Sequence, residues 1–498
     1  MQRLASIHRG RQQGQALPLV LVLLIVLCIG LLVTFNTGQV VGRKVEVTNA
    51  ADAAAYSIAV EQARARNLAA YLNRGRVANE VAIAQMVSLN SWLTMVHSTS
   101  YHFEKFMDVV SVLLSWVPGL GEVLIAIDRA MTALNKALKE FRNAFIPGVN
   151  AAIGTLDQVF DHPYALAASA ALSVPATEAN VFAMASKVVR DNAPDAEITS
   201  IGRGVLAKNV YQAASQLEHY KMPGKGQGLN NTNAGAERYR NVVMASRDTF
   251  TRAREGTAFG VFRNRGGTDL VEYDRWAAVD VFEFHLPLPW PLDDVDFPLG
   301  WGGTQAVNGR KPNFFPGMRN GRGWKSPYDN RTYAAYNGTS RGSISGRFIE
   351  GDPAGQEMGF KRDKAYLNQY RHGLNLAYDD VKQRDAKHAY SEIPEGADAG
   401  PIYTVEVGMA IAAARTSSAL GIGAGRMALK DEARHDQIRA MASAQVYFNR
   451  PHEYSPFRRS VWGRSDGKFE MGNMFSPYWQ ARLVATPDMD RRLLVGAP

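Results

Sequence analysis

Cysteine is almost absent from this sequence of 498 residues, which contains only Cys28. No intramolecular disulfide can form, so any exported part must fold by packing alone. Cys28 lies inside an apolar run, where we assign the thiol no role. This scarcity argues against a disulfide-rich secreted scaffold and against catalysis by a cysteine nucleophile.

Complete catalytic motifs are missing as well. Glu432 and His435 have the Glu-x-x-His spacing of di-iron bundles, but a second such pair is absent, which favours a solvated helix face. Gly421, Gly423 and Gly425 resemble a phosphate loop without its Lys-Ser/Thr ending. A flexible loop or helix packing explains these glycines better.

Candidate metal ligands are equally incomplete. Asp293, Asp294 and Asp296 could chelate calcium, but the glycine and the terminal glutamate of an EF-hand are missing. His97 and His102 are five residues apart, a spacing that does not place both on one helical face. We therefore expect no catalytic residue, no metal and no cofactor, and we predict that the protein is not an enzyme.

Acidic residues are absent from the first 15 positions, which contain Arg3, His8, Arg9 and Arg11. Residues 16–35 then form an uncharged apolar run, about 30 Å long as a helix and long enough to span a bilayer. The positive-inside rule predicts a cytoplasmic tail at 1–15, a transmembrane helix at 16–35 and a periplasmic remainder. A cleaved signal peptide is the alternative, but its apolar core would be shorter.

A second apolar stretch covers residues 109–127. Pro118, Gly119 and Gly121 interrupt this stretch, and Glu122 lies within it. These residues disfavour a second membrane span. A helical hairpin, either buried in the fold or lying on a membrane surface, is the better interpretation.

Residues 36–75 read as a helical stalk. Its apolar positions follow a period near 3.5 and include several alanines, a pattern that suits close helix packing. The stripe comprises Val47, Ala51, Ala54, Ile58, Ala65, Leu68 and Leu72. Two arrangements remain open, namely bundling between chains and a long helix packed on its own domain.

Two segments carry a resemblance to a known family. RQQGQALPLVLVLLIVLCIGLLVTF leads from basic residues into the apolar helix, and TNAADAAAYSIAV follows just beyond it. Together they resemble Tad/Flp pilus-assembly proteins of the TadG-like kind over about residues 10–65. VYFNRP and FSPYWQARL near the C-terminus also look like the ends of long proteins of this kind. The resemblance implies a component of the Tad secretion and pilus machinery that is distinct from the major pilin.

The sequence departs from a processed pilin at one position. Gly14-Gln15 resembles a prepilin cleavage site, yet Leu19 stands where a polymerising pilin is expected to have glutamate. We therefore expect the mature protein to keep residues 1–14, and N-terminal sequencing that begins at Gln15 would refute this. The Asp-x-Ser-x-Ser signature of metal-binding adhesion domains in some larger relatives is absent.

The rest of the chain divides by composition. Residues 76–222 are predicted to be mainly helical, with helical segments at 130–145, 176–190 and 205–220. Breaks are predicted at Pro118-Gly119, Pro147-Gly148, Pro163 and Pro175. Residues 223–498 are predicted to form a mixed α+β periplasmic domain, with a linker near 223–235 and strands in EYDRWAAVDVFEFHLPLPW, GPIYTVEVG and SAQVYFNRP. The expected fold class is therefore α+β.

The net charge of +9 is concentrated in one basic stretch. Residues 300–348 contain eight basic residues against one acid, Asp329, and aromatic residues are interleaved among them. The basic residues are Arg310, Lys311, Arg319, Arg322, Lys325, Arg331, Arg341 and Arg347. This pattern is typical of polyanion binding, although a solvated loop is the simpler alternative. A periplasmic location disfavours nucleic acid and favours anionic lipid, a cell-wall polymer or an acidic partner subunit.

These observations predict a membrane-anchored structural component of Tad/Flp-type pilus assembly or secretion machinery. Its expected partners are membrane lipid, through residues 16–35, and other pilus-assembly proteins. The alternative is an anchored periplasmic binding or adhesion protein that recognises a surface polymer.

Overall fold

The computed structural model describes residues 16–114, 119–224, 233–286, 289, 295–307, 376–382, 400–415, 437–450 and 469–496. It also describes short pieces at 324–325, 332–333, 366–367, 374 and 390–391. The fold is α+β, with a long N-terminal apolar helix, a helical region and mixed sheets.

One helix, α1 (Ala16–Leu114), contains both the apolar run and the alanine-rich segment that follows it. Its 99 residues correspond to roughly 150 Å of helix axis. No proline occurs between Pro18, in the first turn, and Pro118, so nothing in the chain forces the helix to end earlier. Its apolar end is fully exposed, with a mean hydropathy of 3.1, and is the one helix of the described chain that is long and apolar enough to cross a membrane.

A helical hairpin follows α1. Gly119 has φ +81°, a left-handed conformation that favours glycine, and α2 (Leu120–Thr155) begins directly after it. The predicted break at Pro118-Gly119 and the hairpin are confirmed. The predicted break at Pro147 was wrong, because α2 continues through that residue.

Shorter helices complete the helical region. A π-helical turn (Leu156–Asp161) joins α2 to α3 (His162–Ser173), so Pro163 lies in the first turn of a continuing helix and does not end one. The break predicted at Pro175 is confirmed, because it separates α3 from α4 (Glu178–Asn192). The other α-helices among the described residues are α5 (Ser200–Ser215), α6 (Ala234–Ala245), α7 (Thr249–Arg252) and α8 (Asp488–Val495).

The first sheet, sheet A, has the antiparallel order β1-β12-β13-β15. Its strands are β1 (Ala196–Ile198), β12 (Ile402–Ala410), β13 (Gln437–Phe448) and β15 (Trp479–Val484). The strands predicted in GPIYTVEVG and SAQVYFNRP are β12 and β13, and both are confirmed.

The second sheet, sheet C, has the order β3-β4-β5-β6-β9 and is antiparallel except between β6 and β9. Its strands are β3 (Gly256–Ala258), β4 (Phe262–Glu272), β5 (Arg275–Leu286), β6 (Val295–Val307) and β9 (Tyr366–Leu367). β5 confirms a strand in EYDRWAAVDVFEFHLPLPW, and it forms a hairpin with β4.

Three small pairs complete the strands of the described residues. β2 (Leu217–Tyr220) pairs with β10 (Tyr378–Val381), β7 (Trp324–Lys325) with β8 (Thr332–Tyr333), and β11 (Tyr390–Ser391) with β14 (Phe469–Glu470). The prediction of a helix over 205–220 was wrong for its last residues, because α5 ends at Ser215 and β2 follows it. Residues 217–220 are extended because they pair with a strand more than 150 residues away.

Helix α1 lies in both hydrophobic cores. The first core joins α1 from Val47 to Ala69 with α4, α5 and sheet A. The second joins α1 from Val77 to Val87 with the end of α2, α6 and sheet C. The predicted stalk is thus a long helix packed on its own domain, the second of the two arrangements left open. Both cores draw residues from both sides of position 223, while the domain bounds themselves stay a prediction.

Candidate functional site

The candidate site is the contact by which the membrane-proximal helix is fixed to its domain. Beyond the apolar run, the buried face of α1 begins with small residues. Val47, Ala51, Ala54 and Ile58 have no exposed surface and pack toward sheet A. Alanine suits this contact because its short side chain lets strand backbones approach the helix. Leu68, which the stripe pattern assigned to the same face, is 52% exposed, so that assignment was wrong.

A charged cluster fixes α1 to the middle of sheet C. Arg254 forms two bonds with the Asp280 carboxylate, with Nε–Oδ1 at 2.6 Å and Nη2–Oδ2 at 2.9 Å. Ser91 of α1 donates to Oδ2 of the same carboxylate at 2.5 Å. All three side chains are buried. The directional bidentate pair fixes the orientation of the Asp280 carboxylate on β5, and the Ser91 hydrogen bond joins α1 to that carboxylate.

The cluster extends through neighbouring hydroxyl groups. Arg254 Nη1 donates to Thr268 Oγ1 at 3.1 Å, and Ser88 of α1 shares a hydrogen bond of 2.7 Å with the same threonine. Two residues further, Asn90 donates to Thr304 on β6 at 2.8 Å. Three polar side chains of α1 (Ser88, Asn90 and Ser91) thus contact three different strands.

Glycines in β6 make this close contact sterically feasible. A Cβ atom built on Gly302 would lie 1.9 Å from the backbone oxygen of Ser91. One built on Gly300 would lie 2.0 Å from Oγ1 of Thr99. Only strand positions without side chains allow β6 to lie this near to the helix backbone.

A second buried cluster lies nearer the membrane end of α1. Arg76 Nε contacts Asp161 Oδ1 at 3.2 Å, and its guanidinium lies 5.0 Å from the centre of the Tyr239 ring. Burial raises the pKa of Tyr239 well above its ordinary value. One turn along, Glu80 accepts a bond of 3.0 Å from the indole of Trp276. This cluster joins α1 to the π-helical turn, to α6 and to β5.

The C-terminal segment closes over α1 on another side. Asn67 donates to the backbone oxygen of Trp479 and accepts from its backbone N–H, both at 2.9 Å. Asn73 donates to the backbone oxygen of Met474 at 2.9 Å. FSPYWQARL, the segment singled out in the sequence, therefore runs along the anchor helix.

The interface between α1 and α2 contains polar side chains beside the apolar ones of the second core. Glu104 accepts from Asn135 at 2.5 Å and from Thr132 at 3.3 Å. His97 is 1% exposed, and burial lowers its pKa to about 4, with a further contribution from the nearby charges of Arg142 and Lys139. The histidine is therefore neutral in the folded protein at neutral pH.

The lowered pKa of His97 predicts an acid-sensitive fold. Because the unfolded chain binds a proton at about pH 6.5 and the folded chain only near pH 4, stability falls as the pH drops through that interval. Allowing for solvent screening, we expect the loss to reach about 2 kcal/mol. Urea denaturation of wild type and His97→Gln between pH 7 and pH 4 measures it. Identical pH profiles for the two proteins would contradict this prediction.

The tip of the hairpin is apolar and exposed, so it is not the buried hairpin considered as one alternative. Val109, Val112, Leu113 and Val123 are each more than half exposed. The other alternative, a hairpin on a membrane surface, stays a prediction.

Most of the predicted basic surface lies outside the described residues. The basic residues that lie outside the described residues are Arg310, Lys311, Arg319, Arg322, Arg331, Arg341 and Arg347. Lys325 lies on β7, where only the backbone is described. The surface therefore stays a prediction.

The other sequence candidates fall into two groups. Glu432, His435, the three glycines at 421–425, Asp293 and Asp294 lie outside the described residues, and Asp296 is described only by its backbone on β6. His97 and His102 both lie on α1, where His102 Nδ1 is 3.0 Å from the backbone oxygen of Leu299. Within the described parts of the chain, no group of three or more His, Cys, Asp or Glu residues is placed to hold a metal ion.

The residues that fix α1 to sheet C were missed in the sequence. A signal for them was present, because Asp269 and Asp280 occupy strand positions that alternate with apolar residues. An acid at an inward strand position requires a buried cation, here Arg247 for Asp269 and Arg254 for Asp280. The sequence alone does not tell which arginine that is.

Comparison with known proteins bears on the same helix. The family model described as putative Flp pilus-assembly TadE/G-like matches residues 14–67. The N-terminal segment is TadE/G-like. The match covers the apolar run and the part of α1 that enters the first core, up to Asn67. No curated protein and no solved structure matches the chain.

Proposed function

We propose that this chain is a membrane-anchored structural component of Tad/Flp-type pilus assembly or secretion machinery, with a large periplasmic domain. One observation carries the proposal. The TadE/G-like segment is not a separate tether but the first half of a helix on which both cores are built. A movement of the anchor in the membrane therefore moves the domain with it, because both are built on one helix.

The proposed location is the bacterial inner membrane, crossed once by residues 16–35. The basic tail at 1–15 lies in the cytoplasm and the C-terminal bulk in the periplasm. A reporter enzyme that is active only in the periplasm, fused after Ala63, is expected to be active. Activity of a fusion before Gln15, with none after Ala63, would reverse the orientation.

The proposed partners are membrane lipid, other pilus-assembly proteins and, at the basic stretch 310–347, an anionic polymer or an acidic subunit. Nucleic acid is not among them, and no catalytic step is assigned to the chain. The fixed contacts of Ser91, Arg254 and Asp280 suit a structural role because they hold the helix rigidly to sheet C.

Deleting the gene is expected to reduce surface pili without stopping synthesis of the pilin subunit, because an assembly component acts after the subunit is made. Counting pili by electron microscopy and measuring pilin by immunoblot checks this. Normal pili together with reduced attachment to a surface polymer would favour the adhesion alternative.

The deletion strain complemented with Arg319→Glu, Arg322→Glu and Lys325→Glu tests the basic stretch. Full recovery of pili and of copurifying partners at low salt would exclude it as the contact.

A further inference from the structure

Helix α2 presents an apolar seam that the described parts of its own domain leave uncovered. The seam repeats with alternating steps of four and three residues, which is the heptad pattern of a coiled coil. It comprises Val123, Ile127, Ala130, Leu134, Ala137, Phe141, Ala144 and Gly148, all of them exposed. The large members Val123, Ile127, Leu134 and Phe141 are 54%, 40%, 47% and 57% exposed. From Val123 to Gly148 the seam is roughly 38 Å long.

Helix α2 has apolar residues both toward α1, where Val149 and Ile153 are buried, and on the exposed seam. The face that packs on α1 includes Asn135, which bonds Glu104, and the buried Arg142. The apolar residues of the seam point away from α1. A surface helix normally turns its apolar stripe toward its own core, so an outward stripe of this length indicates a partner.

We propose that the seam pairs with the same seam of a second copy of this chain, in parallel orientation. The orientation rests on the proposed function, because two copies anchored in one membrane bring their α2 helices together pointing the same way. In a parallel pair each residue faces its own counterpart. Each facing pair forms one layer of the interface. The large side chains Ile127, Leu134 and Phe141 form three layers, and alanines 130, 137 and 144 form layers of small residues.

Charge supports a second copy as the partner. The positions that flank a heptad seam carry interhelical charges in many coiled coils. Here one flank is half-buried against α1, and the other contains Ala126, Ala133 and Glu140. Glu140 is the only charged residue among these flanking positions, so two copies approach without repulsion between like charges. The cations Arg129 and Lys136 lie about 130° around the helix from the seam.

Lipid of the anchoring membrane is a poorer partner for this seam. Leu134, at its centre, lies next to Asn135 and Thr132, which contact Glu104 of α1. Glu104 is about 100 Å along the helix axis from Phe35, where the apolar run ends. A neighbouring copy has the same seam at the same height above the membrane.

Cysteine crosslinking of the full chain in its native membrane tests the pairing. Cys28→Ser provides the background, and Ile127→Cys, Leu134→Cys and Phe141→Cys are added one at a time. Each is expected to form a disulfide-linked dimer, since facing residues of a parallel pair lie within disulfide range. Lys136→Cys, which is also on α2 but faces away from the seam, is the matched control. Its yield is expected to be about tenfold lower, since its thiols are held beyond that range.

The pattern of crosslinks decides between arrangements. A dimer at position 134 alone, with crosslinks between the Ile127→Cys and Phe141→Cys chains when the two are coexpressed, would mean antiparallel copies and overturn the proposal. No dimer at any seam position would also overturn it. Adding Leu134→Glu to the Ile127→Cys chain is expected to abolish the dimer, whereas adding Lys136→Glu is expected to leave it. These results are independent of pilus number, so failure of the pairing and failure of the proposed function are distinguishable.

Discussion

Asp280→Ala is expected to lower the free energy of unfolding by about 3–5 kcal/mol, because it leaves the buried charge of Arg254 without its carboxylate partner. It also removes the acceptor of Ser91, so α1 loses a contact with β5. Urea denaturation of the full chain in detergent, followed by tryptophan fluorescence, measures the change. Trp276, which is buried next to Glu80 on the same interface, is a suitable reporter.

Two further variants separate the charge effect from a packing effect. The double variant Arg254→Met with Asp280→Leu removes both charges, and its stability is expected to be close to that of wild type. Asp191→Ala breaks the exposed pair with Lys187, an ion pair of 2.7 Å on α4, and is expected to cost less than about 1 kcal/mol. If Asp280→Ala costs no more than Asp191→Ala, the buried cluster does not hold α1 to sheet C.

Local features of the fold were predictable from the sequence. The apolar run, the hairpin at Gly119 and the strands β5, β12 and β13 all follow from composition, periodicity and breaker residues within short windows. The alanine stripe predicted a close contact along one face of α1. In each case the decisive interaction lies within a few residues along the chain.

Long-range contacts were not predictable in this way. The alanine stripe does not reveal that strands from residues 402–448 cover it, because periodicity shows that a face is buried and not by what. Residues 217–220 became a strand through pairing with β10, a contact that a helix pattern cannot anticipate. The buried pairing of Arg254 with Asp280 joins residues 26 positions apart on different elements. For the basic stretch, the prediction from sequence is neither strengthened nor weakened by the described residues.

Val41→Pro is expected to separate the anchor from the domain and to reduce surface pili to the level of the deletion strain. Val41 is 55% exposed and lies on α1 between Phe35, at the end of the apolar run, and Val47, where the first core begins. Proline there removes one backbone hydrogen bond and kinks the helix, a local cost of about 3 kcal/mol. Neither core contains residue 41, so the domain is expected to fold and stay in the membrane.

The number of pili per cell in the Val41→Pro strain, compared with a Val41→Ala strain, tests most directly whether anchor and domain act as one body in pilus assembly. Alanine removes the same exposed side chain and keeps the helix. We predict wild-type pili for Val41→Ala and few or none for Val41→Pro, at equal levels of protein in the membrane fraction. Normal pili in the Val41→Pro strain would contradict the account.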